Sequence, residues 1–421
     1  MTIKSFVRKL IPGFVLSIYH YKLALLGALI YGFPSRKLII IGVTGTSGKS
    51  TTVDLITKIL ERSGEKVASI STIRFKIANK EWKNNLKMTM PGRFKIQKFL
   101  RQAVNAGCKY VVLEVASEGV KQSRHKFIKF DSAVFTNLSP EHIESHGGFE
   151  KYRKAKLKFF KAVKNKHFIN IDDENAKYFI EIKAKEIIKF SLGDVKNLKV
   201  DESGSSFQLQ DTKFQIQLMG QFNVYNALCA ICVANSYGVS LDVCKDALEK
   251  AKGIEGRMEV VVKNPFTVIV DYAHTPEQLE NVYKTLNPRP LTLDPKLICV
   301  LGSCGGGRDK WKRPVLGELA SKYCNEIIVT NEDPYDENPE QIIDKVIMGI
   351  TNHKSQITNY KKILDRKEAI KTALKLAKVN DTVIITGKGS EPLMCLANGK
   401  KIAWSDKEIV KQEMGEFAEK F

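Results

Sequence analysis

The chain has 421 residues and a formal net charge of +21. That length excludes a single hydrophobic core and predicts two or three domains, while a hydrophobic content of 43% excludes a largely disordered chain. The charge suits polyanionic partners or a lysine-rich surface, and eight cysteines without a framework fit buried thiols in a reducing cytoplasm.

Residues 1–36 open the chain. Lys4, Arg8 and Lys9 precede an apolar stretch from Phe14 to Phe33, interrupted by His20 and Lys22. The charge pattern is that of a secretory signal, but no small-residue cleavage site closes it. A spanning helix is disfavoured, because Lys22 lies inside a stretch barely long enough to cross. Two readings stay open: a helix packed on the next domain, or an amphipathic helix lying on the membrane face.

The run Ile39-Ile40-Ile41 enters the turn Gly42-Val43-Thr44-Gly45-Thr46-Ser47-Gly48-Lys49-Ser50-Thr51-Thr52. Val53, Ile56, Ile59 and Leu60 follow at helical spacing. This predicts a strand, a phosphate loop and a helix. Backbone N–H groups over Gly45, Thr46, Ser47, Gly48 and Thr51 would hold the phosphates of ATP. Lys49 would neutralise the β- and γ-phosphates, and Ser50 can ligate Mg²⁺. The general pattern G-x-x-x-x-G-K-[ST] asks for glycine where this chain has Val43. The form here, T-G-T-x-G-K-S-T, resembles the Mur ligase family, ATP-dependent amide-bond ligases of cell-wall peptide synthesis.

Further motifs follow in the family's order. Glu65–Ser71 reads as a strand, and Met88-Thr89-Met90-Pro91-Gly92 as a turn. The resemblance implies that Thr89 contacts substrate. Phe94–Ala106 is helical in period, and Lys109–Val115 is a buried strand ending in Glu114. A carboxylate at the end of a parallel strand faces the ligand crevice and needs a cation. Ala116-Ser117-Glu118-Gly119 with Arg124 resembles the family's E-V-S-S-H…R segment, with Glu118 in place of its histidine; Ser117 and Arg124 are implied substrate contacts. Phe135-Thr136-Asn137-Leu138-Ser139-Pro140-Glu141-His142-Ile143-Glu144-Ser145-His146 resembles F-T-N-L-x-x-D-H-L-D-x-H of the UDP-N-acetylmuramyl-tripeptide synthetase branch. By that resemblance His142 is a second-metal ligand. Tyr152 to Phe160 matches Y-x-x-A-K-x-x-L-F, whose lysine, here Lys156, is carbamylated in the family and helps hold a second Mg²⁺. From the residues alone Lys156 reads as an ordinary basic helix face. Residues 186–219 alternate like strands, and Asn223 and Asn226 open a helix resembling the family's adenine-side segment.

From residue 256 the chain reads as a second α/β unit. Gly256-Arg257-Met258-Glu259 resembles the family hinge, where the arginine meets ATP. Thr267–Val270 runs into Asp271-Tyr272-Ala273-His274-Thr275-Pro276, a Mur signature whose Asp271 would meet ATP. Runs at 297–301, 326–330 and 382–386 predict an open nucleotide-fold-like sheet. The loops behind them carry Arg308, Asp333, Tyr335, Gly387 and Glu391 as implied substrate contacts. Tyr335 stands where the diaminopimelate-adding branch has an arginine for the distal carboxylate. Glu332, Asp333, Asp336 and Glu391 instead make an acidic surrounding suited to an amine-ended amino acid such as lysine.

The expected fold is α/β: a phosphate-loop ATPase domain with a parallel sheet (37–255), a Rossmann-like C-terminal domain (256–421) and a helical segment (1–36). The resemblance implies an amide ligase joining a UDP-N-acetylmuramoyl-peptide carboxylate to an amino acid with ATP and Mg²⁺. It also implies a separate UDP-sugar-binding domain, for which residues 1–36 leave no room. Alternatives are a lipid-linked, polyamino-acid or folate-type acceptor, or an inactive nucleotide-binding scaffold at the membrane. No nucleic-acid partner is expected, because basic and aromatic residues are not interleaved. The expected location is cytoplasmic, with residues 1–36 able to meet the inner membrane face.

Overall fold

The computed structural model describes residues 12–86, 88–201, 203–287, 295–352 and 359–418. Lys4, Arg8 and Lys9 lie outside the described residues. Helix α1 (Gly13–Ile30) and a 3₁₀ turn (Pro34–Lys37) lead into β1 (Ile39–Thr44). The first sheet adds β2 (Val67–Ile70), β3 (Arg74–Ile77), β4 (Lys80–Lys83), β5 (Tyr110–Glu114), β6 (Ser132–Phe135), β7 (Lys166–Asn170) and β8 (Glu186–Phe190). Its order is β4-β3-β2-β5-β1-β6-β7-β8. All pairs are parallel except the β2-β3-β4 edge. Parallel strands covered on both faces read as continuous apolar runs, which is why β1 and β5 stand out in the sequence.

The helices of this half are α2 (Lys49–Arg62), α3 (Arg93–Asn105), α4 (Ser117–Lys121), α5 (Ile143–His146), α6 (Phe149–Ala162), α7 (Ala176–Ile180), α8 (Gln221–Ser236) and α9 (Leu241–Glu249). Helices α2, α8 and α9 cover one face of the sheet, and α3, α6 and α7 the other. A meander of β9 (Val195–Asp201), β10 (Gly204–Leu209) and β11 (Thr212–Ile216) adds Phe207, Phe214 and Ile216 to the first core.

The second half is a six-stranded sheet of β12 (Glu259–Val262), β13 (Thr267–Val270), β14 (Leu297–Leu301), β15 (Glu326–Val329), β16 (Asn359–Lys362) and β17 (Thr382–Ile385). Its order is β12-β13-β17-β14-β15-β16, parallel except for β12. Helices α10 (Pro276–Leu286), α11 (Lys312–Tyr323) and α12 (Pro339–Asn352) lie on one face, α13 (Arg366–Leu376) and α14 (Asp406–Ala418) on the other. A small hairpin, β18 (Leu393–Cys395) and β19 (Lys401–Ala403), follows. No helix among the described residues is long and apolar enough to cross a membrane.

The cysteines correct one expectation. Cys299 and Cys324 are 25 residues apart yet form a disulfide. Cys299 lies within β14, and Cys324 ends α11 just before β15, the strand beside β14. Only strand pairing brings them together, so their spacing gives no sign of it. Cys229 and Cys232 remain free, and burial raises both thiols above the usual range.

Gly42 sets how closely α6 approaches β1. A Cβ there would stand 2.4 Å from Phe159 Cζ and 3.0 Å from the Phe130 ring. Phe159 is fully buried and cannot swing away. Gly42→Val is therefore expected to cost about 1–3 kcal/mol by overpacking, read as a lower urea midpoint at unchanged slope. Wild-type stability would mean that α6 is free to retreat.

Candidate active site

The phosphate loop joins β1 to α2 and is held from three sides. Asn137 Oδ1, beyond β6, accepts from Thr46 N (3.2 Å) and Ser47 N (2.8 Å). Thr136 Oγ1 donates to Ser47 O (2.8 Å). A Cβ on Gly45 would fall 1.9 Å from Thr136 Oγ1. Gly48 has φ +77°, and a Cβ there would lie 2.3 Å from Asn226 Oδ1. The loop is thus wedged between the end of β6 and the start of α8.

Two lysines converge on it. Lys49 Nζ donates to Thr46 O (2.7 Å) and Lys156 Nζ to Gly45 O (2.5 Å). Burial lowers the basicity of Lys49, partly opposed by Glu114 and Glu141. Burial, with the positive charge of Lys49, takes Lys156 well below the ordinary lysine range. Lys156 is 1% exposed, so the solvated basic face that its residues suggest is not what forms.

Glu114 ends β5 beside the loop. Ser50 Oγ donates to its Oε2 (2.7 Å), as does Thr72 N (2.8 Å), and Thr72 Oγ1 donates to Oε1 (3.1 Å). Thr72 Oγ1 also pairs with Thr89 Oγ1 (2.8 Å). Glu141, next to His142, is buried between Lys312 Nζ (3.5 Å), His274 Nε2 (3.7 Å) and His142 Nδ1 (4.0 Å). Its Oε2 is buried without a hydrogen bond. Burial and the cations around it push His142 down to about 3, so it is a neutral imidazole near pH 7. The Ser50 hydroxyl and the Glu114 carboxylate, oxygen donors beside a phosphate loop, fit Mg²⁺, which takes one or two carboxylates plus substrate phosphates. Among the described residues no three His, Cys, Asp or Glu form a complete protein cage.

The two halves meet over this site. Asp309 accepts from Ile143 N (3.2 Å) and Glu144 N (2.9 Å) at the start of α5, and Lys310 N donates to Glu144 Oε1 (2.6 Å). Gln278 Nε2 donates to Ser47 Oγ of the phosphate loop (2.8 Å). Between the halves lies a cavity of about 1370 Å³.

Its wall contains Gly45 through Thr51, Glu114, His142, Lys156, Asn223, Asn226, Arg257 and Asp271. Thr89, Ser117, Arg308, Asp333, Tyr335, Gly387 and Glu391 line it as well. Arg124 does not; its guanidinium bonds Met90 O and Gln122 Oε1. Asp271 accepts from Met258 N (2.7 Å) and Ala273 N (2.6 Å), which fixes the hinge, and Arg257 lies 4.2 Å over the Tyr272 ring. Asn223 and Asn226 are joined to each other (3.0 Å). Thr72, Asn137 and Glu141 carry no assigned role in the sequence reading. A short hydroxyl or amide side chain near a strand end gives no sign of the carboxylate or backbone it will hold.

Residues 43–234 match the Mur ligase middle domain, and 256–389 the Mur ligase glutamate ligase domain. The chain belongs to the Mur ligase family. It is an ATP-dependent amide ligase of the branch whose members make peptidoglycan precursors. The UDP-N-acetylmuramoyl-L-alanyl-D-glutamate–2,6-diaminopimelate ligase of Syntrophomonas wolfei is 40% identical over 383 residues, covering 88% of this chain and 77% of its own. The Aquifex aeolicus enzyme of the same name is 39% identical, covering 91% and 79%. A solved ligase of that name superposes with a TM-score of 0.60 at 31% identity, over 90% of this chain and 79% of that one. The Mycobacterium tuberculosis folylpolyglutamate synthase structure shares the fold, with a TM-score of 0.69 at 16% identity over 88% and 92% of the two chains.

Lys388 ties the far wall of the Mur ligase cavity together. It donates to Asp333 Oδ1 (2.9 Å), Glu391 Oε2 (2.7 Å) and Leu393 O (2.7 Å). Burial alone would lower its pKa, but Glu391 and Asp333 hold it above the usual range. Removing one partner of a buried ion cluster costs about 3–5 kcal/mol. Lys388→Met is expected to lower thermal stability accordingly, and a variant with unchanged melting would show that the cluster is not closed in solution.

Proposed function

We propose that the protein joins the terminal carboxylate of a UDP-N-acetylmuramoyl-peptide to an amino acid bearing a side-chain amine, with lysine the preferred one. The observation that carries this reading is the shared cavity. One end is the phosphate loop with Lys49 and Lys156, and the other is walled by Asp333, Tyr335, Gly387 and Glu391. A carboxylate and an amine held there face the same γ-phosphate site.

The chemistry runs in two displacements. A peptide carboxylate oxygen attacks the γ-phosphorus, the bond to the β-phosphate oxygen breaks, and an acyl-phosphate and ADP form. The amine then attacks the acyl carbon, phosphate leaves, and the nitrogen gives up a proton. Lys49 and the loop N–H groups neutralise charge on the transferring group. Ser50, Glu114 and His142 would hold Mg²⁺, which when bound neutralises phosphate charge. Lys156, buried beside Gly45 with a depressed amine, has the uncharged form that carbamylation requires. Arg257, Asn223, Asn226 and Asp271 frame the nucleotide, while Thr89, Ser117 and Arg308 face the acceptor and amine.

The preference for lysine rests on Tyr335, which offers no guanidinium to a distal carboxylate, and on Glu332. Glu332 is buried, accepts from Cys304 Sγ (2.7 Å), and leaves Oε2 without a hydrogen bond. A buried unpaired carboxylate discriminates strongly for a ligand that donates to it. The enzyme works in the cytoplasm, where ATP is, with α1 at the inner membrane face.

Phosphate release from ATP and Mg²⁺ with UDP-N-acetylmuramoyl-dipeptide, measured across a panel of amino acids, tests the reading. Turnover with lysine, lost in Lys49→Ala, is the expected result. Turnover with diaminopimelate but not lysine would overturn the amine preference, and silence with every amino acid would overturn the acceptor.

A further inference from the structure

The outward face of α1 is apolar and exposed. Phe14, Ile18, Tyr19, Leu26, Leu29 and Ile30 are all exposed, Phe14 at 69% and Ile30 at 60%. The opposite face is small. Ala24, Gly27 and Ala28 are buried, and a Cβ on Gly27 would lie 3.6 Å from Arg93 O and Phe94 Cα at the start of α3. A helix normally turns its apolar side to the core and its polar side to water. Here the small residues seat the helix on α3 and the large apolar ones face out, along roughly 27 Å of helix.

The placement is firm. Arg101 Nε and Nη2 donate to Tyr31 O (2.9 and 2.6 Å), just past the helix end. The Tyr21 ring meets Phe127 edge-on at 5.0 Å. The helix is therefore fixed to the domain in an orientation that leaves this face uncovered by the described residues.

The charge around the face is one-sided. The first acidic residue of the chain is Asp54, and none occurs between Glu81 and Glu114 or between Glu118 and Asp131. Those acid-free segments are the ones that pack around α1. They carry Lys22, Arg36, Lys37, Lys95, Lys98 and Lys129, all exposed. Elsewhere the surface mixes both signs, with ion pairs such as Arg62–Asp246 and Lys362–Glu340. An apolar face inside a collar of one charge sign has one complementary surface: a bilayer bearing anionic lipid, with apolar side chains at the acyl boundary and lysines at the phosphates. Tyr19 suits that boundary, and the long stem of Lys22 lets its charge reach the headgroups.

We propose that α1 and its basic collar dock this enzyme on the surface of an anionic membrane. The helix lies along the interface and does not span it. Helix α3, on which it rests, is led by the Met88–Gly92 turn that carries Thr89 into the cavity. Docking therefore brings the acceptor side of the active site toward the bilayer.

Flotation of the full-length protein with vesicles tests this directly. The expected result is binding to phosphatidylcholine–phosphatidylglycerol vesicles and little to phosphatidylcholine alone, weakening as salt rises. Ile18→Asp with Leu29→Asp should abolish flotation, because a charge is set into the apolar contact. Lys95→Glu and Lys98→Glu should each lower the partition coefficient by roughly fivefold or more, at about 1 kcal/mol per basic residue. Both positions lie outside the catalytic cavity, so ATP turnover should stay at the wild-type level and report that the variants fold. Equal binding to neutral and anionic vesicles would overturn the role of the collar. Absence of binding, with a dimer in sedimentation that Ile18→Asp dissociates, would assign the face to a second copy and overturn the proposal.

Discussion

Two buried lysine side chains donating to neighbouring carbonyls of one loop are the constraint on which the rest of the site depends. Lys49 bonds Thr46 O and Lys156 bonds Gly45 O. Like charges at that range, away from water, disfavour each other's protonation. Glu114 and Glu141 offset part of this, and a polyphosphate would complete the neutralisation. The constraint propagates outward. Glycines 45 and 48 are required because Thr136 and Asn226 occupy the space a side chain would need. The end of β6 and the start of α8 are consequently fixed against the loop. Gly42 does the same for α6, which brings Lys156 to its place.

The second constraint is the seam. The first N–H groups of α5 would be unsatisfied at a helix start, and Asp309 of the other half accepts from them. Glu141 is buried only because Lys312 and His274 come across to it. Gln278 reaches the phosphate loop itself. The seam thus combines these polar contacts with apolar ones, since Met219 and Phe222 of the first half pack into the core of the second.

How much of this was legible depends on the physics of each element. Strands β1, β5, β14 and β17 are covered on both faces, so each appears as an apolar run with a distinct start and stop. The edge strands β4 and β16, Lys80–Lys83 and Asn359–Lys362, are exposed throughout. With no buried side they show no alternation, and they went unread. The phosphate loop was legible because backbone contact demands glycine at fixed spacing. Lys156 was not: a lysine on a helix signals solvent, and its burial depends on the close approach to β1 that Gly42, more than a hundred residues earlier, allows. The Cys299–Cys324 bond was hidden for the same reason, since strand pairing and not spacing makes it. Glu141 stood in a quoted segment without a role, because its burial is created by the other half of the molecule.

The acidic loop around residue 332 shows how far a charge count can mislead. Four carboxylates, Glu332, Asp333, Asp336 and Glu391, read as a strongly negative pocket. Asp333 and Glu391 share Lys388, and Asp333 also accepts from Cys395 N (2.7 Å). Asp336 accepts from Asn398 N (2.8 Å) on the neighbouring hairpin. These three carboxylates build the wall; they tie the loop after β15 to the loop after β17 and to β18. Glu332 differs, since one of its oxygens is buried with no hydrogen bond while burial favours its neutral form. Tyr335 beside it has φ +52°, and a Cβ on Gly306 would lie 2.5 Å from its ring. The negative charge suggested by the count is therefore largely used up inside the wall, and of the four only Glu332 presents a buried carboxyl oxygen without a hydrogen bond.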